Sequence, residues 1–241
     1  MVARLVTLSI VSHGQSRLVA PLLTELQPLI AGGAEVILTI NIPEEESAIG
    51  GYLPRLGVQR NACPRGFGAN HNTAFEQSSR PFFAVVNPDI RLQALDFNAL
   101  LAPFADRRVG ACAPMVIDSA GMVQDSARRF PTWSVLVRRA LLRQRRPDYE
   151  AGSEPVPVDW LAGMFVVFRR EAFAQVGGFD AKRFFMYYED VDICRRLRLQ
   201  GWDVLLQPAT RVVHEAQRAS HRDVRHLRWH LASAVRYLFD L

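Results

Sequence analysis

A chain of 241 residues, 49% hydrophobic and 22% charged, can bury a substantial core and has the make-up of a soluble globular protein. No apolar run approaches the ~20 residues a membrane-spanning helix needs, and three widely spaced cysteines (Cys63, Cys112, Cys194) suggest neither a disulfide framework nor a zinc site. The net charge of +5 gathers into two basic clusters, Arg138 to Arg146 and Arg218 to Arg236, which can meet phosphates, anionic lipid or only solvent.

Taken in order, the chain alternates strands and helices. Leu5 to Val11 is a continuous apolar run, as in a strand buried on both faces, with no signal-peptide cleavage site after it, so a cytosolic protein is expected. Ser16 can cap a helix carrying Leu18, Leu22 and Leu26 on one side, which Gly32-Gly33 ends. Glu35 to Ile40 is a second buried strand and the region of Val58 a short third. Gly66-Phe67-Gly68 opens a helix through Glu76, and Phe82 to Val86 is a fourth strand. This alternation implies right-handed crossovers and a mostly parallel sheet, whose ligands bind beyond the carboxyl ends of the strands. Ser12, His13, Asn41, Asn61 and Asp89 then surround one crevice.

Pro88 cannot donate to a strand ladder, so the fourth strand stops at Asn87-Pro88-Asp89 and Asp89 projects as a hard oxygen ligand of the kind magnesium or manganese takes. Gly66 to Asn72 lacks the three-glycine dinucleotide fingerprint; it lets the backbone approach a ligand, or serves as a plain loop-to-helix junction. Further on, Val109 to Val116 reads as a strand, Asp118 to Gly121 as a hairpin turn, Ser134 to Arg143 as a helix and Pro147 to Pro157 as a loop. Val158 to Phe168 reads as one buried strand, with Gly163 marking a bulge or a ligand approach. After a short helix from Glu171, the aromatic run Phe184 to Tyr188 meets Glu189, Asp190 and Asp192 at the start of a helix ending at Leu199. Acids there suit the helix dipole; beside an aromatic wall, a carboxylate also gains the raised pKa of a base that takes a proton from a hydroxyl. Two short strands, Asp203 to Gln207 and Arg211 to Val213, deliver His214. From Arg222 to Leu241 an apolar stripe (Val224, Leu227, Leu231, Val235, Leu238, Phe239) can pack on the domain, join a dimer or lie on a bilayer.

The order of these motifs resembles the inverting glycosyltransferases of family 2 and their GT-A (nucleotide-diphospho-sugar transferase) fold, an α/β fold with a mostly parallel mixed sheet flanked by helices. The block from Val158 to His214 is most similar to rhamnosyltransferase-type members that build bacterial surface polysaccharides. The resemblance implies one domain over residues 1–241, with a nucleotide-sugar half (1–90), an acceptor and catalytic half (91–215) and a C-terminal amphipathic helix (216–241). It makes Asp190 the catalytic base with Glu189 beside it, Asp192 a structural acid at the helix start, and Asp89 and His214 the metal ligands. Ser12, His13, Asn41, Asn61, Gly66, Phe67, Asn70, Asn72 and Asn87 fall to the donor site, and Trp160, Gly163, Tyr187 and Tyr188 to the acceptor. Asn41 and Asn87 stand where many members carry acids.

The activity so implied is transfer of a sugar such as rhamnose from a dTDP- or UDP-sugar, with Mg2+ or Mn2+, to a hydroxyl of a glycan or lipid-linked acceptor. It would take place in the cytoplasm or at the inner face of the cell membrane, with a homodimer open. Two rivals are a sugar-nucleotide nucleotidyltransferase, which lacks here a basic phosphate loop after the first strand, and a non-catalytic basic membrane module. Nothing resembles a recognition helix or an aromatic RNA platform, so nucleic acid is not an expected partner.

Overall fold

The computed structural model describes residues 2–93, 95–132, 148–149, 152–215 and 224–239. The expected helix over 134–143 and the basic cluster at 138–146 lie outside these residues. In chain order the elements are β1 (Val6–Ser12), α1 (Ser16–Ala31), β2 (Glu35–Ile40), β3 (Gly57–Arg60), α2 (Phe67–Gln77), β4 (Phe82–Val86), β5 (Ile90–Arg91), α3 (Phe97–Leu101) and β6 (Val109–Ile117). They continue as β7 (Ala127–Arg128), β8 (Val156–Pro157), β9 (Trp160–Leu161), β10 (Phe165–Arg169), α4 (Arg170–Gln175), α5 (Glu189–Leu199), β11 (Asp203–His214) and α6 (Val224–Leu238).

Nine strands form one sheet in the order β3-β2-β1-β4-β10-β6-β11-β5, with β8 beside β11; β7 and β9 form a separate two-stranded ribbon. The first four strands are parallel, and β10 enters antiparallel to both β4 and β6. All the principal strands except β10 therefore end at one edge, and that edge carries the site.

Period-two alternation in the strands sorts side chains to the two faces. Leu8, Ile10, Ala84 and Val86 pack with Leu22 and Leu26 of α1 and Phe97 of α3. Phe83, Val85 and Phe168 face the other way, with Phe173 of α4 and Ile193 and Leu197 of α5. Five phenylalanines (Phe83, Phe165, Phe168, Phe173, Phe184) are fully buried, each stabilising the fold by about 1.5–3 kcal/mol.

Three sequence expectations need correction. Ser16 is inside α1, not its cap: its N–H donates to the Glu44 carboxylate at 2.8 Å, and the Gln15 N–H donates to Ser12 Oγ at 3.1 Å. A carboxylate from the β2 end thus does the capping that a local hydroxyl was expected to do. The run 158–168 is not one strand, because Ala162 to Met164 turns between β9 and β10; the Met164 N–H donates to the Ala162 carbonyl at 2.7 Å. Conversely, the two short strands after Asp203 are one strand, β11, with a register shift between Gln207 and Arg211.

Candidate active site

At the ends of β1 and β2 lies a polar lattice. Asn41 accepts from the Arg65 backbone N–H (2.9 Å) and from Asn61 Nδ2 (2.8 Å), and donates to the Arg65 carbonyl (3.0 Å). Asn61 Nδ2 also reaches Asn70 Oδ1 (2.7 Å), and Asn41 Nδ2 lies 3.0 Å from His13 Nδ1. His13, Asn41 and Asn61 are thus brought together, largely to satisfy one another, while Asp89 pairs elsewhere with His214; Ser12 is fully buried bracing the turn. Outside the lattice, Gly14 to Leu18 with Glu44, Glu45, Ser47 and Ala48 line a cavity of about 580 Å³.

The segment 66–72 has a packing role that the ligand-loop reading did not foresee. A Cβ at Gly66 would lie 2.3 Å from the Phe185 carbonyl oxygen, which accepts from the Phe67 N–H at 3.0 Å. Phe67 stacks edge-on against His71 and Phe179. Asn72 brackets Phe179, accepting from its N–H (2.9 Å) and donating to its carbonyl (2.7 Å). Gly178, with φ of 70°, has no room for a Cβ, which would meet Asn72 Oδ1 at 2.5 Å. The helix α2 is thus docked backbone-to-backbone on the loop that leads to α5. His71 is fully enclosed; burial holds its pKa down at about 3, so the ring stays neutral, with Nδ1 2.8 Å from Ser9 Oγ.

Asp89 and His214 meet where β5 pairs with the end of β11. His214 Nε2 lies 3.2 Å from Asp89 Oδ2, and its Nδ1 lies 2.8 Å from Gln124 Oε1. The Gln124 amide nitrogen donates to the His214 carbonyl at 3.3 Å, so its oxygen is the acceptor for the ring. Donation from Nδ1 to Gln124 leaves Nε2 facing the Asp89 carboxylate, so that the two side chains point at one place, where either a shared proton or a cation can sit. The other Asp89 oxygen is buried without a hydrogen-bond partner among the described residues. A carboxylate plus an imidazole is a donor set that fits Mg2+ or Mn2+. Among the described residues no group of three or more His, Cys, Asp or Glu could hold a metal. The side chain of Asn87, at the tip of β4, has no hydrogen-bond partner among the described residues.

The second carboxylate centre opens α5. Tyr187 and Tyr188 both have left-handed backbone, with φ of 70° and 67°, a conformation that costs non-glycine residues of order 1–3 kcal/mol each and clusters at functional sites. It delivers Asp190 to Gly163, whose N–H donates to Oδ2 at 3.1 Å, while the Val191 N–H donates to Oδ1 at 2.9 Å. Burial raises the Asp190 pKa, against these bonds and the charge of Arg128, which lower it. Glu189 is buried, with one carboxylate oxygen unpartnered; burial first, then the Asp190 charge, holds its pKa well above the usual range. Glu189 is therefore a buried acid next to Asp190. Asp192 is buried and accepts from Arg196 Nε at 2.7 Å, four residues along α5.

The aromatics expected at the acceptor divide. Trp160 is only 9% exposed, its indole N–H donates to the Arg129 carbonyl at 3.0 Å, and the Arg128 guanidinium lies 5.5 Å from its ring centre. Tyr188 is buried against Tyr237 and His230, and the Tyr187 hydroxyl lies 2.8 Å from His226 Nδ1. Both tyrosines are thus held by α6. Ser233 of α6 also donates to the Met186 carbonyl at 2.9 Å, and Trp229 stacks on Phe185. The helix packs on the domain, but by its His, Ser and Tyr face; Leu227, Leu231 and Phe239 remain 60%, 56% and 57% exposed. Gln124, Arg128 and the two histidines of α6 were not singled out from sequence, and none stands in a motif that could have flagged it.

Residues 44–232 match the family described as "Glycosyltransferase like family 2". The chain is 36% identical over 170 residues to the N-acetylglucosaminyl-diphospho-decaprenol L-rhamnosyltransferase of Mycobacterium tuberculosis, across 65% of this chain and 54% of that protein. It thus spans about half the length of that relative. It is 34% identical over 190 residues to the rhamnosyltransferase WbbL of Escherichia coli K12, across 72% of this chain and 70% of that one. Among solved structures, the mannosyltransferase PcManGT from Pyrobaculum calidifontis, in complex with GDP-Man and Mn2+, is similar with a TM-score of 0.64 at 19% identity, covering 96% of this chain and 64% of that one. GalNAc-T7 with UDP, GalNAc and Mn2+ has a TM-score of 0.65 at 17% identity, covering 88% and 44%. These likenesses establish a GT-A fold. With the family match covering most of its length and WbbL 34% identical across much of both chains, the chain belongs to the family 2 glycosyltransferases.

Proposed function

We propose that the chain is a metal-dependent inverting rhamnosyltransferase, moving rhamnose from dTDP-rhamnose to a hydroxyl of an N-acetylglucosaminyl-diphospho-lipid at the inner face of the cell membrane. The rhamnosyltransferase names of the relatives support the sugar, and the mycobacterial name supports the acceptor. The observation that carries the mechanism is the separation of two carboxylates: Asp89 against His214 at the tips of β5 and β11, and Asp190 against Gly163 at the start of α5.

Asp89 and His214 would hold a divalent cation, which neutralises the charge that develops on the departing nucleoside diphosphate. Asp190 takes the proton from the acceptor hydroxyl as that oxygen attacks the anomeric carbon. Its raised pKa makes it a better base than an exposed aspartate, and the two backbone N–H groups fix its carboxylate plane. Glu189, with ionisation disfavoured by burial, limits the negative charge beside the base. One displacement inverts the anomeric centre. In this reading residues 1–90 serve chiefly the donor, 91–215 the acceptor and the base, and 216–241 the membrane.

Purified protein with dTDP-rhamnose, Mg2+ or Mn2+ and N-acetylglucosaminyl-diphospho-farnesol should give a rhamnosylated product of inverted configuration by NMR, and EDTA should stop it. Retained configuration, or full activity in EDTA, would contradict the mechanism. No described helix is long and apolar enough to cross a membrane. The outward stripe of α6, bordered by Arg228 and Arg236, instead suits an anionic bilayer surface. Flotation with phosphatidylglycerol vesicles that weakens at high salt is the expected result; no flotation at low salt would remove the membrane contact.

A further inference from the structure

We infer that Arg128 is the anchor for the phosphate attached to the acceptor sugar, so that the site selects acceptors carrying a phosphate or diphosphate one pyranose ring from the reacting hydroxyl. The inference rests on the transferase reading above and adds to it a recognition residue.

Arg128 belongs to a short ribbon whose continuation holds Asp190 of α5. β7 pairs antiparallel with β9, placing Arg128 opposite Trp160, and two residues beyond β9 the Gly163 N–H holds Asp190. The guanidinium is preorganised: it stacks 5.5 Å from the Trp160 ring centre, and its Nε is fixed by the Asp125 carboxylate at 2.9 Å and the Asp125 carbonyl at 3.1 Å. Among the described residues its two terminal nitrogens have no hydrogen-bond partner, and the side chain is 35% exposed.

The charge of Arg128 reaches the catalytic neighbourhood, acting on Asp190, Tyr188 and His230. His230 comes from α6; burial, then Arg128, lowers its pKa, which keeps it a neutral ring beside that charge. A free, planar fork of two N–H groups next to a neutral imidazole suits a phosphate, which arginine grips bidentately. A sugar whose hydroxyl sits on Asp190 has its anomeric substituent across one ring, and in a diphospho-sugar that substituent is a phosphate. An arginine with only a structural role, bracing the ribbon or keeping Asp190 ionised, would affect every acceptor alike.

The test compares two acceptors of the same sugar, N-acetylglucosaminyl-diphospho-farnesol and the uncharged farnesyl N-acetylglucosaminide, using full-length protein and dTDP-rhamnose. The wild type should prefer the diphosphate, and in Arg128→Gln the ratio of the two kcat/KM values should fall roughly tenfold or more, chiefly through KM for the diphosphate. Arg128→Lys, which keeps the charge and loses the fork, should fall between them and guards against a misfolded Gln variant. A ratio equal to wild type in both variants, with any loss shared equally by both acceptors, would overturn the assignment. A wild type that uses the two acceptors equally well would also overturn it while leaving the transferase reading standing. Transfer to neither acceptor would defeat that reading itself, and the Arg128 assignment with it.

Discussion

The two polar centres of the molecule, which the proposed mechanism assigns to donor and acceptor, solve opposite problems. On the donor side, Asn41, Asn61 and Asn70 are neutral, largely buried and satisfied by one another and by the Arg65 backbone. On the acceptor side, Asp190 and Glu189 are adjacent carboxylates in a poorly solvated place, preceded by two left-handed tyrosines. The asparagine lattice is relaxed, each group satisfied by its neighbours; the carboxylate pair is strained, and on the proposed mechanism that strain serves reactivity. The strained edge is held from two directions, by α2 through Gly66 and by α6 through Tyr187, Tyr188 and Met186. Stability built elsewhere in the fold is what keeps a destabilising carboxylate pair in place.

Breaking the α2 hold should have the largest effect. Gly66→Ala puts a methyl 2.3 Å from the Phe185 oxygen, and the loop must move; a loss of about 2–3 kcal/mol in urea unfolding is expected, together with a fall in kcat. A variant as stable and active as wild type would show that the close approach is not needed.

Relieving the charge should have a smaller effect of opposite sign. The Glu189 pKa is raised in the fold, so its contribution is fully present below its unfolded value of 4.5 and is lost as pH rises through the folded value. Glu189→Gln escapes that loss, and at pH 8 it should be more stable than wild type by about 1 kcal/mol, with the gap closing as pH approaches 4.5. A gap that does not change with pH would mean that Glu189 is not destabilised by ionisation. The smallest effect belongs to Tyr187→Phe, which removes only the hydroxyl at His226. It should lower stability by about 0.5 kcal/mol and leave donor binding at wild-type strength; weakened donor binding would tie the α6 contact to the wrong edge.

The donor edge was the more legible in sequence. Apolar runs alternating with helices fix a parallel sheet and therefore the edge where ligands collect, and Pro88 marks where Asp89 must project. The acid run before Val191 was equally plain. What sequence could not show was contact between distant segments. Gln124 orients His214 across 90 residues of chain, and the reason for Gly66 lies at Phe185. The helix α6 is the clearest case. Its periodicity revealed an apolar stripe, but which face docks was decided by partners elsewhere: the Tyr187 hydroxyl and the Met186 carbonyl take His226 and Ser233, Leu238 packs inward, and Leu227, Leu231, Val235 and Phe239 are left outside.

The division between the edges is tested most directly by measuring dTDP binding and rhamnosyl transfer side by side in Asp89→Ala and Asp190→Asn, with calorimetry in Mn2+ for the first. Asp190→Asn should bind the nucleotide as wild type does and lose transfer by roughly 10²–10⁴-fold, while Asp89→Ala should lose the Mn2+-dependent part of binding. Comparable turnover in Asp190→Asn, or unchanged Mn2+-dependent binding in Asp89→Ala, would contradict the assignment of base and metal ligand to separate edges.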